Sequence, residues 1–193
     1  MTSKKLSNRY LKRVSFVLLL KRVLIFLYCP ITSRDIAYFS PNYIHMLISK
    51  GQETVTMEFS DLLKKAKQTI LYFYPQDETP GCTLEAITFT IFLQTFLDHG
   101  IQIVWVSKDS SESHCKFIEK DGLQIPLISD PDLTLHKQFG ARGEKNMYGK
   151  IYEGTIRSTF LLDSTGEILK ARRNVKATGH VEKIIRELKL ETV

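Results

Sequence analysis

The chain is expected to fold as an α/β protein with a mixed central sheet flanked by helices on both faces. Two observations lead there. Through the middle of the chain, short apolar and β-branched runs alternate with longer stretches of helical spacing, as parallel strands joined by crossover helices do. Near the end, a strand–turn–strand signal adds antiparallel strands to the same sheet.

Regular organisation begins at about residue 53. "TILYFY" (69–74) is apolar, aromatic and β-branched and stops at Pro75, which predicts a buried central strand. The loop "PQDETPG" follows, then about 17 residues of helical spacing starting at Cys82 and closed by Gly100. Ile87, Ile91, Phe92, Phe96 and Leu97 are expected to form the buried face of that helix. "IQIVWVS" (101–107) predicts a second strand. "DSSESHCKFIEKDG" offers Asp and Ser as N-caps and ends on Gly122, which predicts a second helix. "IPLISD" predicts a short strand and "DLTLHKQFG" a short helix. "STFLLD", the turn "STGE" and "ILKARR" predict a hairpin, and "GHVEKIIRELKL" an amphipathic closing helix. This order of elements resembles the thioredoxin-like plan.

Composition limits the function classes. A chain of 193 residues, 43% hydrophobic and 25% charged, has room for one globular domain and an extension. The net charge of +6 belongs to the leader: residues 1–34 carry eight Lys or Arg and no acid, leaving 19 basic against 21 acidic residues, or −2, for residues 35–193. Nothing in the body therefore suggests a nucleic-acid surface. Residues 1–45 are read as a basic, partly apolar extension, poorly ordered or targeting, and 46–193 as the folded domain. Within the extension, "VSFVLLL" and "VLIFLYCPI" are split by Lys21 and Arg22, and neither reaches the ~20 residues that span a bilayer. Cytoplasmic residence is expected, with organelle targeting or membrane association through residues 1–34 as the alternative. The three cysteines, Cys29, Cys82 and Cys115, are too few and too scattered for a secreted disulfide framework. They form no CxxC pair and no zinc-ligand spacing, so neither metal nor cofactor is expected.

Candidate chemistry concentrates in "FYPQDETPGCTLEA" (73–86). A free thiol titrates near pH ~8.5, and only the thiolate is a strong nucleophile. Cys82 sits where a loop gives way to a helix, so unpaired backbone N–H groups and the helix dipole favour its anion. Gly81 leaves room for a small ligand, while Pro75 and Pro80 stiffen the loop and remove competing donors. Thr79 supplies a hydroxyl able to donate to or accept from a bound oxygen; it is equally placed to shape the loop or cap the helix. Glu85 falls in the first helical turn, where a carboxylate is favourable without any catalytic role. Phe73 and Tyr74 read as core. His114, His136 and His180 have no carboxylate or cysteine at a telling spacing and read as structural.

The segment "FYPQDETPGCT" carries the pattern PxxxTxxC of the peroxiredoxins at Pro75, Thr79 and Cys82, and "TPGCTLE" resembles their bacterioferritin-comigratory, or Q-type, branch. The similarity runs on through "VSKDSSESHCKFIEKDGLQIPLISDPD", "YGKIYEGTIRSTFLLDSTGEI" and "GHVEKII", roughly residues 55–190. It implies a thiol peroxidase that reduces hydrogen peroxide and organic hydroperoxides through a sulfenic acid on Cys82. Thioredoxin or a similar dithiol is the implied reductant, and a monomer the implied state. The arginine of "IRSTF", Arg157, is implied to reach the thiolate. Many members of the family carry a resolving cysteine five residues after the reactive one; here that position is Ile87. Some relatives place it on the helix after the second strand, which implies Cys115, about one turn before the expected position near Ile118.

Two other classes are weighed by the same residues. A thiol–disulfide oxidoreductase on this fold normally shows CxxC, which is missing. A non-catalytic binding module has no need of Cys82, Thr79 and Arg157 together.

Overall fold

The computed structural model describes residues 44–147 and 149–190; the leader with Cys29 lies outside the described residues. The scaffold is built around β3 (Gln68–Phe73), whose residues from Thr69 onward are all buried. Alternation splits them between two cores. Ile70, Tyr72 and, just beyond the strand, Tyr74 face one layer with Trp105 and Phe89. Leu71 and Phe73 face the other with Val104, Val106, Phe139 and Phe160.

On one side β3 pairs in parallel with β4 (Ile101–Ser107), and on the other antiparallel with β8 (Ser158–Asp163). The remaining strands of the sheet are β1 (His45–Lys50), β2 (Glu53–Glu58), β5 (Leu127–Ser129) and β9 (Ile168–Arg173). Its order is β2-β1-β5-β4-β3-β8-β9, a mixed seven-stranded sheet. Helices α2 (Pro80–Ile91), α3 (Leu93–Asp98), α4 (Ser111–Asp121) and α6 (His180–Leu188) supply residues to the first core. The short α1 (Phe59–Leu63) and α5 (Thr134–Gln138) supply the second. The α/β expectation, with helices on both faces of a mixed sheet, holds.

Several elements differ from the sequence reading. The helix carrying Cys82 starts two residues earlier, because Pro80 takes its first position after Thr79 in extended conformation (φ −80°, ψ 143°). The expected single helix is two, separated at Phe92. Its expected core face is met only in part: Phe96 is buried and Phe92 packs on the first core, but Ile87, Ile91 and Leu97 are 38%, 70% and 46% exposed. The residues that face inward from α2 are Cys82, Glu85, Ala86 and Phe89, spaced i, i+3, i+4, i+7. A buried acid thus occupies a position that periodicity assigns to a hydrophobe.

Two hairpins had no counterpart in the sequence reading. β1 and β2 turn at Gly51, whose φ of +61° suits glycine. β2 is an edge strand and mostly exposed, so its pattern lacks the apolar run of a core strand. β6 (Arg142–Met147) and β7 (Lys150–Thr155) form a separate two-stranded ribbon leading into Arg157. Among the described residues no helix is long and apolar enough to cross a membrane.

Candidate active site

Cys82 is the third residue of α2 and fully buried. Its place in the first turn puts it at the positive end of the helix dipole. The guanidinium of Arg157 meets it there, with Nη2 at 3.1 Å from Sγ. Arg157 lies between β7 and β8, immediately before Ser158, and its carbonyl accepts from Val175 N at 3.0 Å. The antiparallel register pairs Ser158 with Phe73, which brings the arginine to the same end of the sheet as the loop after β3.

The other edge of the guanidinium is held from below. Arg157 Nη1 donates to Tyr72 Oη and to Glu85 Oε2, both at 2.6 Å. Tyr72 in turn donates to Glu85 Oε2. Burial, and then the Glu85 carboxylate beside it, push the Tyr72 hydroxyl well above the ordinary tyrosine range, so it remains a donor. Burial works against the charge of Arg157, but Tyr72, Cys82 and Glu85 outweigh it and raise its pKa above the usual arginine value. A permanent, pinned cation thus faces the sulfur.

Glu85, 0% exposed, has partners on both oxygens: Oε1 accepts from His180 Nδ1 at 2.5 Å. His180 Nε2 lies 3.0 Å from Thr159 Oγ1. Gly179, at φ +72°, turns the chain so that His180 is the first residue of α6 and its ring reaches the sheet. Tyr72, Glu85 and His180 are the members of this cluster that the sequence reading left as core, helix-end acid and structural histidine.

The loop before α2 is fastened separately. Thr79 Oγ1 donates to Gln76 O at 3.2 Å, and Thr79 O accepts from Thr83 N at 2.9 Å, so Thr79 both folds the loop and opens the helix. Pro75 follows β3 and is half-buried. A Cβ at Gly81 would stand 3.7 Å from Arg157 Nη2, so glycine there keeps that nitrogen open to a ligand. Asp77 is buried, accepting from Tyr74 Oη (2.6 Å), Ser113 Oγ (2.7 Å) and the His114 ring (2.9 Å). Burial opposes the Asp77 charge, but the bonds from His114, Tyr74 and Ser113 outweigh it and hold its pKa below the ordinary aspartate value.

Asp77→Asn is accordingly expected to destabilise the fold by about 3 kcal/mol near neutral pH, the usual cost of breaking a buried pair. Because the folded carboxyl titrates lower than the unfolded one, its stabilisation is complete above the unfolded value of 3.8. It is lost as pH falls through the lower folded value. Urea denaturation at neutral and strongly acidic pH should show the wild-type advantage shrinking in acid, whereas a gap independent of pH would contradict this account.

Two further groups bear on the site. Lys145 on β6 lies within electrostatic reach of Cys82 and Arg157; burial and the Arg157 charge lower its pKa, and Cys82 opposes them. Cys115, on α4, points away from the first core: its sulfur lies 3.6 Å from Thr54 Oγ1 on β2. Ile118, one turn later, shares the first core with Cys82, as does Phe117 beside it. Both described cysteines are free thiols. His136 pairs with Asp130 at 2.7 Å in the second core, as His114 pairs with Asp77 in the first; neither carboxylate is near its histidine in sequence terms a helix would reveal.

The AhpC/TSA family matches residues 45–171. The chain is similar to peroxiredoxin Bcp of Bacillus subtilis, 41% identical over 140 residues that cover 72% of this chain and 88% of that protein. Peroxiredoxin Bcp of Xanthomonas campestris is 46% identical over 120 residues, 62% of this chain and 75% of that one. Among solved structures, the Xanthomonas campestris bacterioferritin comigratory protein superposes with a TM-score of 0.69 at 36% identity, covering 78% of this chain and 92% of its own. That protein was trapped in intermediate and ligand complexes that concern its alkyl peroxide reduction. With a buried thiol clasped by arginine at a helix start, and relatives matched over 75% to 92% of their length, the chain belongs to the AhpC/TSA family as a peroxiredoxin of the bacterioferritin-comigratory, or Q, type.

Proposed function

We propose that Cys82 is the peroxidatic nucleophile of a thiol-dependent peroxidase acting on hydrogen peroxide and organic hydroperoxides. The observation that carries this reading is the 3.1 Å approach of Arg157 Nη2 to a sulfur at the positive end of α2. The thiolate attacks one peroxide oxygen, forming an S–O bond as the O–O bond breaks. The electron pair leaves on the second oxygen, which takes up a proton to become water or an alcohol, and Cys82 is left as a sulfenic acid. Arg157 stabilises the charge that moves from sulfur to the departing oxygen, a role for a fixed cation that needs no reorganisation. Thr79, at the mouth of the loop, hydrogen-bonds a peroxide oxygen, and Pro75 and Pro80 keep backbone donors from competing.

Reset requires two electrons. Cys115 takes the first step: its thiol condenses with the Cys82 sulfenic acid, forming the S–S bond and releasing water. Thioredoxin or a similar dithiol then reduces the disulfide by exchange. Since Cys115 faces Thr54, the first turn of α2 has to unwind for the Cα atoms to come within the ~7 Å a disulfide allows. A monomer suffices for this cycle, and scattered free thiols suit a reducing compartment such as the cytoplasm.

Intact-mass analysis and peptide mapping after one equivalent of peroxide test both steps. The expected product is a Cys82–Cys115 disulfide, with helix lost around residues 82–88. In Cys115→Ser the sulfenic acid should persist and over-oxidise more readily. Sulfenate at Cys82 with Cys115 still reduced in the wild type would remove the resolving role and leave a one-cysteine enzyme. Peroxide that leaves Cys82 unmodified would remove the peroxidase reading itself.

A further inference from the structure

Charge counting within the buried cluster leaves a deficit. Arg157 and Glu85 form a salt bridge at 2.6 Å with the glutamate fully buried. Taken alone, that pair is neutral, and a Cys82 thiolate adds a negative charge to a low-dielectric site whose sulfur side is otherwise met, among the described residues, only by the half-buried Lys145. A cation on the Glu85 side lets Arg157 serve the sulfur rather than be spent on the glutamate.

We propose that His180, as an imidazolium, is that cation: it neutralises Glu85 from the far side and thereby leaves the charge of Arg157 available to Cys82. The inference rests on Cys82 being the reactive thiol. It makes His180 a positioning residue, since its ring touches Glu85 and never the sulfur.

The contacts of the ring fit the role. Nδ1 faces Glu85 Oε1, a carboxylate oxygen that only accepts, so Nδ1 carries a proton in either state of the ring. Nε2 faces the hydroxyl of Thr159 at 3.0 Å, which accepts from an imidazolium Nε2–H. The same hydroxyl rotates to donate to a neutral ring, so the histidine gains or loses its proton without leaving a buried group unsatisfied. The elements packed on the ring present Glu85 and Phe89 from α2, Tyr72 from β3 and Thr159 from β8. Tyr72 stays protonated, so the glutamate is the one anion among these neighbours. Arg157 acts on the ring only across Glu85, which it shares, and Lys145 interacts electrostatically with Arg157 and Cys82.

The test measures thiolate formation directly, by the pH dependence of Cys82 alkylation in the whole protein, beside the rate of sulfenic acid formation with hydrogen peroxide. His180→Gln retains a donor for Glu85 but never a charge. It is expected to move the alkylation profile upward by about one pH unit, so that sulfenic acid forms up to about tenfold more slowly on the acid side of the wild-type midpoint, with the gap closing in alkali. Adding Glu85→Gln should reverse that shift, because a neutral partner needs no counter-ion. Thr159→Val, which keeps the ring and its bond to Glu85, should give a smaller shift of the same sign. An unchanged profile in His180→Gln, a rate loss equal at every pH, or a double variant shifted further than the single one would each overturn the inference. If His180→Gln does not fold, Thr159→Val decides alone: an unmoved profile overturns the inference. A wild type in which peroxide leaves Cys82 untouched fails at the earlier step and separates the two readings.

Discussion

Replacing Cys82 by serine is expected to reduce peroxide turnover to background while the protein stays folded. The hydroxyl is close in shape to the thiol and sits at the third position of a helix, where an oxygen bonds readily to the backbone donors around it. Packing is therefore almost unchanged, and Ala86 and Phe89 continue to hold the same face of α2 in the core. The chemistry is not replaceable. A serine hydroxyl stays protonated at any working pH, even beside Arg157, and oxygen has none of the affinity of sulfur for a peroxide oxygen. Peroxide consumption with a dithiol, alongside a thermal melt, checks both halves. Residual turnover above about a tenth of wild type in a folded variant would place the nucleophile elsewhere.

Arg157→Ala should produce the second large effect, on rate and stability together. The guanidinium binds three groups at once: the Cys82 sulfur, the Tyr72 hydroxyl and the Glu85 carboxylate. Loss of a preorganised charge at the reacting atoms typically costs about 10²–10³ in rate, and a drop of that order in sulfenic acid formation is expected. Cys82 alkylation should need a higher pH at the same time. Breaking a buried pair costs about 3–5 kcal/mol, and the lower end is expected because His180 and Tyr72 still hold Glu85. Arg157→Lys should fall between, keeping the charge but losing the fork that spans sulfur and carboxylate. An alanine variant that is as stable as wild type, with an unchanged alkylation profile, would show the arginine to be a bystander.

The parts of this fold that could be read from the sequence are those whose own residues announce them. β3 and β4 are unbroken apolar runs, α4 carries a serine cap and a closing glycine (Gly122, φ +62°), and β8–β9 bracket a turn. Cys82 and Arg157 were found through a motif and a resemblance. What escaped depends on register. Tyr72 and Glu85 are 13 residues apart, Glu85 and His180 are 95 apart, and Arg157 is 85 from Tyr72. No spacing rule joins them; the pairing of β8 with β3 and the docking of α6 do. The rotated face of α2 has the same origin. An acid faces the core there because three distant donors are waiting for it, and the isoleucines that periodicity sends inward go to solvent instead. The β1–β2 and β6–β7 hairpins escaped for an opposite reason. β2 and β7 are largely exposed and show little of the core pattern that betrays a strand, and β1 offers only a short alternation of buried residues.

The anchoring of Glu85 also bears on how readily the enzyme is reset. On the proposed Cys82–Cys115 route, unwinding the start of α2 would pull on the turn that carries Glu85, and with it on the bonds to Arg157, Tyr72 and His180. A closed disulfide would then compete with a buried charge cluster that is complete only when the helix is wound. The fold would behave as a spring loaded by oxidation. Its recoil would favour the dithiol, making the disulfide more oxidising than an unstrained one and easier for an external dithiol to open. On that route the carboxylate that holds the arginine would also help to return the sulfur for the next turnover.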